Sequence, residues 1–172
     1  WSFFSTRVPN YVWVLVFFLV GTTLSWGQAS SIWTNPITGS NPGNSNPYTN
    51  GDVKSPYITV SGIGESGLDN ATGNDRYNKD DFTTNNSINT NSDYFSFTLT
   101  PIAGYHINYN SFVYTSTRQG GGTGGPTQFA FRSNAAGNNY ATNIGSPDNN
   151  GETLSLTGAS YQNSTTAIQY RF

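Results

Sequence analysis

From Tyr57 onward the apolar residues of this chain recur at every second position, and that spacing leaves few folds open. Asp93-Tyr-Phe-Ser-Phe-Thr-Leu-Thr100 is the clearest case, with Phe95, Phe97 and Leu99 sharing one face. Tyr57-Ile-Thr-Val-Ser-Gly-Ile63 reads the same way, and Asp75 to Phe82 does so weakly. Later come Phe129 and Phe131, then Tyr140, Thr142 and Ile144, then Leu154 and Leu156, and finally Ile168, Tyr170 and Phe172. Between Gly104 and Arg118 the phase slips: Tyr105, Ile107 and Tyr109 share one parity, Phe112 and Tyr114 the other. A strand changes parity only through a bend, a bulge or a turn, so Asn110-Ser111 is expected to mark a corner.

No window past the first thirty residues combines helical periodicity with caps. Eight or so short strands between Gly, Asn and Pro loops predict an all-β, antiparallel β-sandwich. Jelly-roll-like topology is favoured over immunoglobulin-like, because the Cys-Trp-Cys pattern is missing. Phe172 falls within an alternating strand, so the sandwich is expected to be incomplete at its C-terminal edge, with an unpaired strand there. With Trp1 standing first instead of Met, the chain reads as a fragment of a longer reading frame.

Residues 29–56 differ from the alternating region after them. Asn35-Pro36, Asn41-Pro-Gly43, Asn46-Pro47 and Asn50-Gly51 punctuate them with turns, and only Ser31-Ile-Trp-Thr34 resembles a strand. Ahead of them Tyr11-Val-Trp-Val-Leu-Val-Phe-Phe-Leu-Val20 is an unbroken apolar run, preceded by Arg7 and followed by small and polar residues. Those are the three parts of a secretory signal peptide. The run is short for a bilayer span, which needs roughly 20 apolar residues. The expected organisation is a signal peptide over 1–28, a turn-rich segment over 29–56 and a β-sandwich domain over 57–172. The expected location is extracellular or on the outer cell surface, with membrane contact only through the transient signal peptide.

Charged residues make up 9% of the chain and the formal net charge is −2. The arginines and lysines are scattered, so no basic stripe offers itself to nucleic acid. Aromatic residues, at 15%, recur in alternating patterns that disordered chains lack. Cysteine is absent. Thiol catalysis, iron–sulfur clusters and cysteine–zinc sites are therefore excluded, and stability has to come from packing, hydrogen bonds or bound ions.

Motifs for chemistry are sparse. His106 is the only histidine; it lies out of phase with Tyr105, Ile107 and Tyr109, and no Gly-x-Ser-x-Gly elbow accompanies it. The acids cluster at Asp75, Asp80 and Asp81 and again at Asp148 and Glu152, but a glycosidase needs two carboxyls facing across a cleft. Asp148, Asn150 and Glu152 offer oxygens at the short spacing a structural calcium uses. The same residues also suit a plain turn, where Asp and Asn cap their own backbone. Gly120 to Gly125 lacks the Lys and helix of a phosphate loop. Asn70-Ala-Thr72, Asn85-Asn-Ser87 and Asn163-Ser-Thr165 match the N-glycosylation acceptor, which matters only in a eukaryotic host. Trp33, Tyr94, Tyr114 and Tyr140 are candidates for a platform that stacks on glycan rings, with core packing as the alternative use.

Tyr94-Phe-Ser-Phe-Thr-Leu-Thr-Pro101, Gly104, Arg118, Gly125-Pro126 and Phe131-Arg-Ser-Asn134 resemble a recurring pattern. It is similar to the N-terminal β-sandwich module of secreted, often multidomain, Bacteroidetes-type bacterial proteins, which reads roughly YFEFTLTP, then GP, then RSS. Ser96 stands where that pattern commonly has an acid, and Asn134-Ala-Ala-Gly137 replaces its Ser and Asp. The resemblance implies a sandwich fold, a location outside the cell and an accessory role, and it carries no catalytic residue onto this chain.

These readings lead to one expectation: a secreted or cell-surface, non-catalytic module with a structural or adhesive role beside a neighbouring domain. The alternative is a carbohydrate-binding module of a polysaccharide-degrading system, and a small glycoside hydrolase is a third. The expected partner is an extracellular glycan or a neighbouring domain. The only cofactor in view is the calcium.

Overall fold

The chain is seen in a computed structural model that describes residues 31–82, 91–117, 126 and 128–172. The signal peptide, the Asn85 acceptor, Arg118 and the glycine-rich loop lie outside the described residues. The strands are β1 (Trp33–Thr34), β2 (Val53–Lys54), β3 (Ile58–Val60), β4 (Gly64–Ser66), β5 (Asp69–Asn70) and β6 (Lys79–Asp80). They continue with β7 (Tyr94–Pro101), β8 (Ser111–Val113), β9 (Arg132–Ser133), β10 (Thr153–Ser155) and β11 (Ile168–Arg171). Every pairing is antiparallel, and no α-helix occurs among the described residues. The expected all-β, antiparallel class is what the chain adopts.

The longest strand, β7, organises the main sheet. Phe97, Leu99 and Pro101 are buried on its inner face, whereas Thr98 and Thr100 point outward. On one side it pairs with β11, placing Ile168 opposite Leu99 and Tyr170 opposite Phe97. β9 pairs with the far side of β11, so the strand that ends the chain lies inside the sheet. The expected unpaired C-terminal edge is thereby corrected. The alternation that begins at Ile168 marks a strand buried on one face and bonded on both sides.

β3 and β4 share the other side of β7 and behave as one strand with an extra residue. The register slips by one between the Val60–Leu99 pair and the Gly64–Ser96 pair, the signature of a β-bulge. Gly62 supplies the left-handed backbone there at φ +82, and an added Cβ would lie 2.7 Å from the Tyr48 carbonyl oxygen. Tyr48 approaches that closely because it bridges to Ile63 through paired backbone bonds.

The second layer is β8 paired with β10. The expected corner at Asn110-Ser111 is present. Ile107 and Tyr109 are buried, then Ser111 and Val113 are exposed while Phe112 turns toward the core. Opposite this corner the partner takes nine steps from Ser155 to Ser164 where this segment takes four from Ser111 back to Ile107, so the pairing is interrupted there. The extra residues coil into a short 3-10 turn, Ala159–Tyr161, and Gln162 Nε2 closes it by donating to the carbonyls of Tyr109 and Leu156.

Between the layers runs a continuous stack of rings. Phe131, with no exposed surface, lies 4.7 Å from Phe112 and 5.4 Å from Tyr170. Phe97 touches both neighbourhoods, at 5.0 Å from Phe112 and 5.1 Å from Tyr170. Each buried Phe or Leu contributes about 1.5–3 kcal/mol. Residues 31–56 hold two short strands instead of the expected one, β1 and β2 paired with each other, and belong to the same compact unit as the sheet.

Candidate functional site

The outer face of the main sheet carries the one place where two expected platform residues meet. Arg171 sits on the outer side of β11, opposite Ser96, with Tyr94 diagonal to it on β7. Its guanidinium carbon lies over the Tyr94 ring at 4.3 Å and over the Tyr140 ring at 3.8 Å. Tyr140 comes from the loop after β9, where Asn139 and Tyr140 both take left-handed backbone, at φ 44 and 61. Such backbone costs about 1–3 kcal/mol per residue unless its surroundings hold it. Here the holding is visible: the Tyr140 amide donates to the Ser133 carbonyl at 2.7 Å, and Arg132 donates to the Tyr140 carbonyl at 3.1 Å.

Gln169 completes the cluster. Its Oε1 accepts from the Tyr140 hydroxyl at 2.6 Å and from Arg171 Nε at 3.3 Å. Burial raises the Tyr140 pKa above its ordinary value, and the positive Arg171 works against that rise. Arg132, directly opposite Arg171 in the β9–β11 register, is tethered to Asn143. A shallow cleft of about 270 Å³ opens here, lined by Asn91, Asn139, Tyr140 and Arg171. Its chemistry is two amides, a phenol and a guanidinium, a donor-rich surface suited to hydroxyl and carboxylate oxygens.

The other two platform candidates point elsewhere. Trp33 packs on Phe97 at 4.9 Å, and its Nε1 donates to Asp52 at 2.7 Å. Tyr114 packs against Phe172 at 4.6 Å; its hydroxyl donates to the Asp148 carbonyl and accepts from the Asp148 amide. Both rings serve the fold.

Asp148, Asn150 and Glu152 form the turn after Pro147. Asp148 Oδ1 accepts from the amides of Asn150 at 2.7 Å and Gly151 at 3.2 Å, which is the turn-capping use of an aspartate. No group of three or more His, Asp or Glu side chains able to hold a metal gathers among the described residues. His106 is exposed, on the face opposite Ile107 and Tyr109 as its phase requires. Asp75 accepts from the Gly39 amide and Asp80 from the Asp81 amide.

One cluster escaped sequence reasoning. Lys79 has a fully buried side chain, 3.6 Å from Glu65 Oε1 and 2.6 Å from Asn70 Oδ1. Glu65 is itself anchored, accepting from Asn46 at 2.8 Å and from the Leu68 amide at 3.2 Å. Asn70 and Lys79 are direct partners across β5 and β6. The only legible trace was a lysine within a weakly alternating run; burial of its amine arises from chain segments far apart in sequence.

No known family model matches the chain, and neither the curated proteins nor the solved structures compared with it give a match.

Proposed function

We propose that this chain is a non-catalytic, extracellular β-sandwich module with a structural or adhesive role, presenting or spacing a neighbouring domain. The supporting observation is how its aromatic side chains are used. Among the described residues a continuous inner stack takes up rings that include two of the four expected to meet a ligand. The apolar run Tyr11 to Val20 supports export.

A second reading, glycan recognition, draws on one specific feature. Tyr94, Arg171 and Tyr140 are gathered on the outer face, with Tyr140 on strained backbone beside a donor-rich cleft. Both readings are tested by pull-down of the full chain on insoluble polysaccharides and by a glycan array. A folded chain that binds no glycan supports the spacer role. Saturable binding that Tyr140→Ala abolishes replaces it with carbohydrate recognition. Turnover of any polysaccharide overturns the non-catalytic reading.

A further inference from the structure

We propose that Lys79 and Asn70 join through an intramolecular amide bond, with Glu65 as the proton carrier. Three observations converge on this. The Lys79 amine is wholly buried and 2.6 Å from the carboxamide oxygen of Asn70. The carboxamide carbon is one C=O bond, about 1.2 Å, beyond that oxygen, so the amine lies within about 3.8 Å of the electrophile. A carboxylate, Glu65, stands 3.6 Å from the same amine and is only 12% exposed.

The chemistry balances without any further reagent. Glu65 takes a proton from the Lys79 ammonium, and the freed lone pair attacks Asn70 Cγ to form the new C–N bond. Glu65 delivers its proton to the carboxamide nitrogen and accepts the second proton of the attacking amine. The old C–N bond then breaks, ammonia departs, and it carries the remaining proton into water as ammonium. Nothing is oxidised or reduced.

The surroundings favour each stage. Register holds the two reactants opposite each other on β5 and β6, so the attack is intramolecular and its orientation is already set. Asn46 and the Leu68 amide fix the Glu65 carboxylate. Burying an ammonium beside a carboxylate is costly, and the amide removes the buried positive charge. Asn70 reaches the surface at a cleft shared with Asp69, Asp80 and Asp81, through which a departing cation is drawn outward. The bond would covalently close the arch of residues 71–78, and it holds whether or not the proposed function stands.

The test is the intact mass of the purified full chain, followed by tryptic peptide mapping. The expected mass is lighter than that of the sequence by one ammonia. Trypsin should fail at Lys79, leaving Ser55–Arg76 joined to Tyr77–Arg118 as one branched peptide. Asn70→Ala, at a surface-reaching position, and Glu65→Gln should each restore the full mass expected of their sequence and cleavage at Lys79. A folded wild-type chain of unaltered mass overturns the proposal. So does ammonia loss confined to a free Ser55–Arg76 peptide, which would mean that Asn70 has cyclised onto its own backbone.

Discussion

The main sheet and the loop-rich segments on either side of β3 and β4, residues 35–52 and 67–82, are held together by opposite means. Around β7 and β11 the contacts are ring on ring: Phe97, Phe112, Phe131 and Tyr170 lie in mutual contact with little polar company. Across 35–52 and 67–82 many of the ties are side chains bonded to distant backbone. The Tyr48 hydroxyl donates to the Thr38 carbonyl and accepts from its amide, Asp75 holds Gly39, Asn41 holds Gly73, and the Tyr77 hydroxyl reaches the Ser45 carbonyl. The first region gains stability in proportion to the apolar area it buries. The second, rich in Asn, Asp and Gly, has little such area and relies on satisfying backbone groups one by one, each bond giving about 0.5–1.5 kcal/mol.

The contrast is sharpest under substitution. Phe131→Ala should cost about 3–5 kcal/mol, since it empties the centre of the stack, and chemical denaturation will register the loss as a lower midpoint. Tyr48→Phe keeps the ring and removes two bonds to exposed Thr38, whose amide and carbonyl water can then reach; about 0.5–1.5 kcal/mol is expected, read in the same experiment. If the two prove equal, the division between the regions fails.

Alkali offers a second way to separate them. Burial pushes the Tyr109 hydroxyl up to about 12 from an ordinary 10.0. Folding therefore favours its protonated form, so stability is complete below about pH 10 and falls as the pH climbs toward 12. Tyr109→Phe should flatten that fall, as seen in denaturation midpoints from pH 9 to about 12.

Two smaller effects complete the series. Asp148→Ala removes a turn cap worth about 1 kcal/mol, and the turn reading requires the same cost in calcium as in chelator; a larger cost in calcium would restore the ion. Tyr170→Phe should be neutral or slightly stabilising. Among the described residues the buried hydroxyls of Tyr170 and Tyr109 have no hydrogen-bond partner of good geometry, although they lie near enough to bias each other's ionisation. Deleting one therefore removes a desolvation cost and no satisfied bond. Tyr161→Phe is the contrasting control, because its hydroxyl is paired with buried Ser133 at 2.9 Å.

Much of the fold was legible in the sequence. The alternation in Tyr94 to Pro101 marked the central strand and its inner face, and the parity change at Asn110-Ser111 marked a real corner. Both are local: a side chain's direction along a strand follows from its position in the pleat. The placement of β11 between β7 and β9 was not legible, because nothing in Ile168 to Phe172 says how many neighbours a strand will have. The candidate site divided in the same way. Trp33 and Tyr94 stand on strands, whereas Tyr114 and Tyr140, which alternation had placed in strands, lie in loops; only Tyr94 and Tyr140 meet, and they do so through Arg171, a residue without a motif.

By itself, then, the sequence determined the class of fold, the strand faces, the turns and the absence of thiol chemistry, since these depend on residue type and near spacing. Only the tertiary structure decided which side chains converge. Arg171 over two rings and Lys79 beside Asn70 and Glu65 depend on pairings across the sheet and between distant loops, and burial there is a property of the assembled chain.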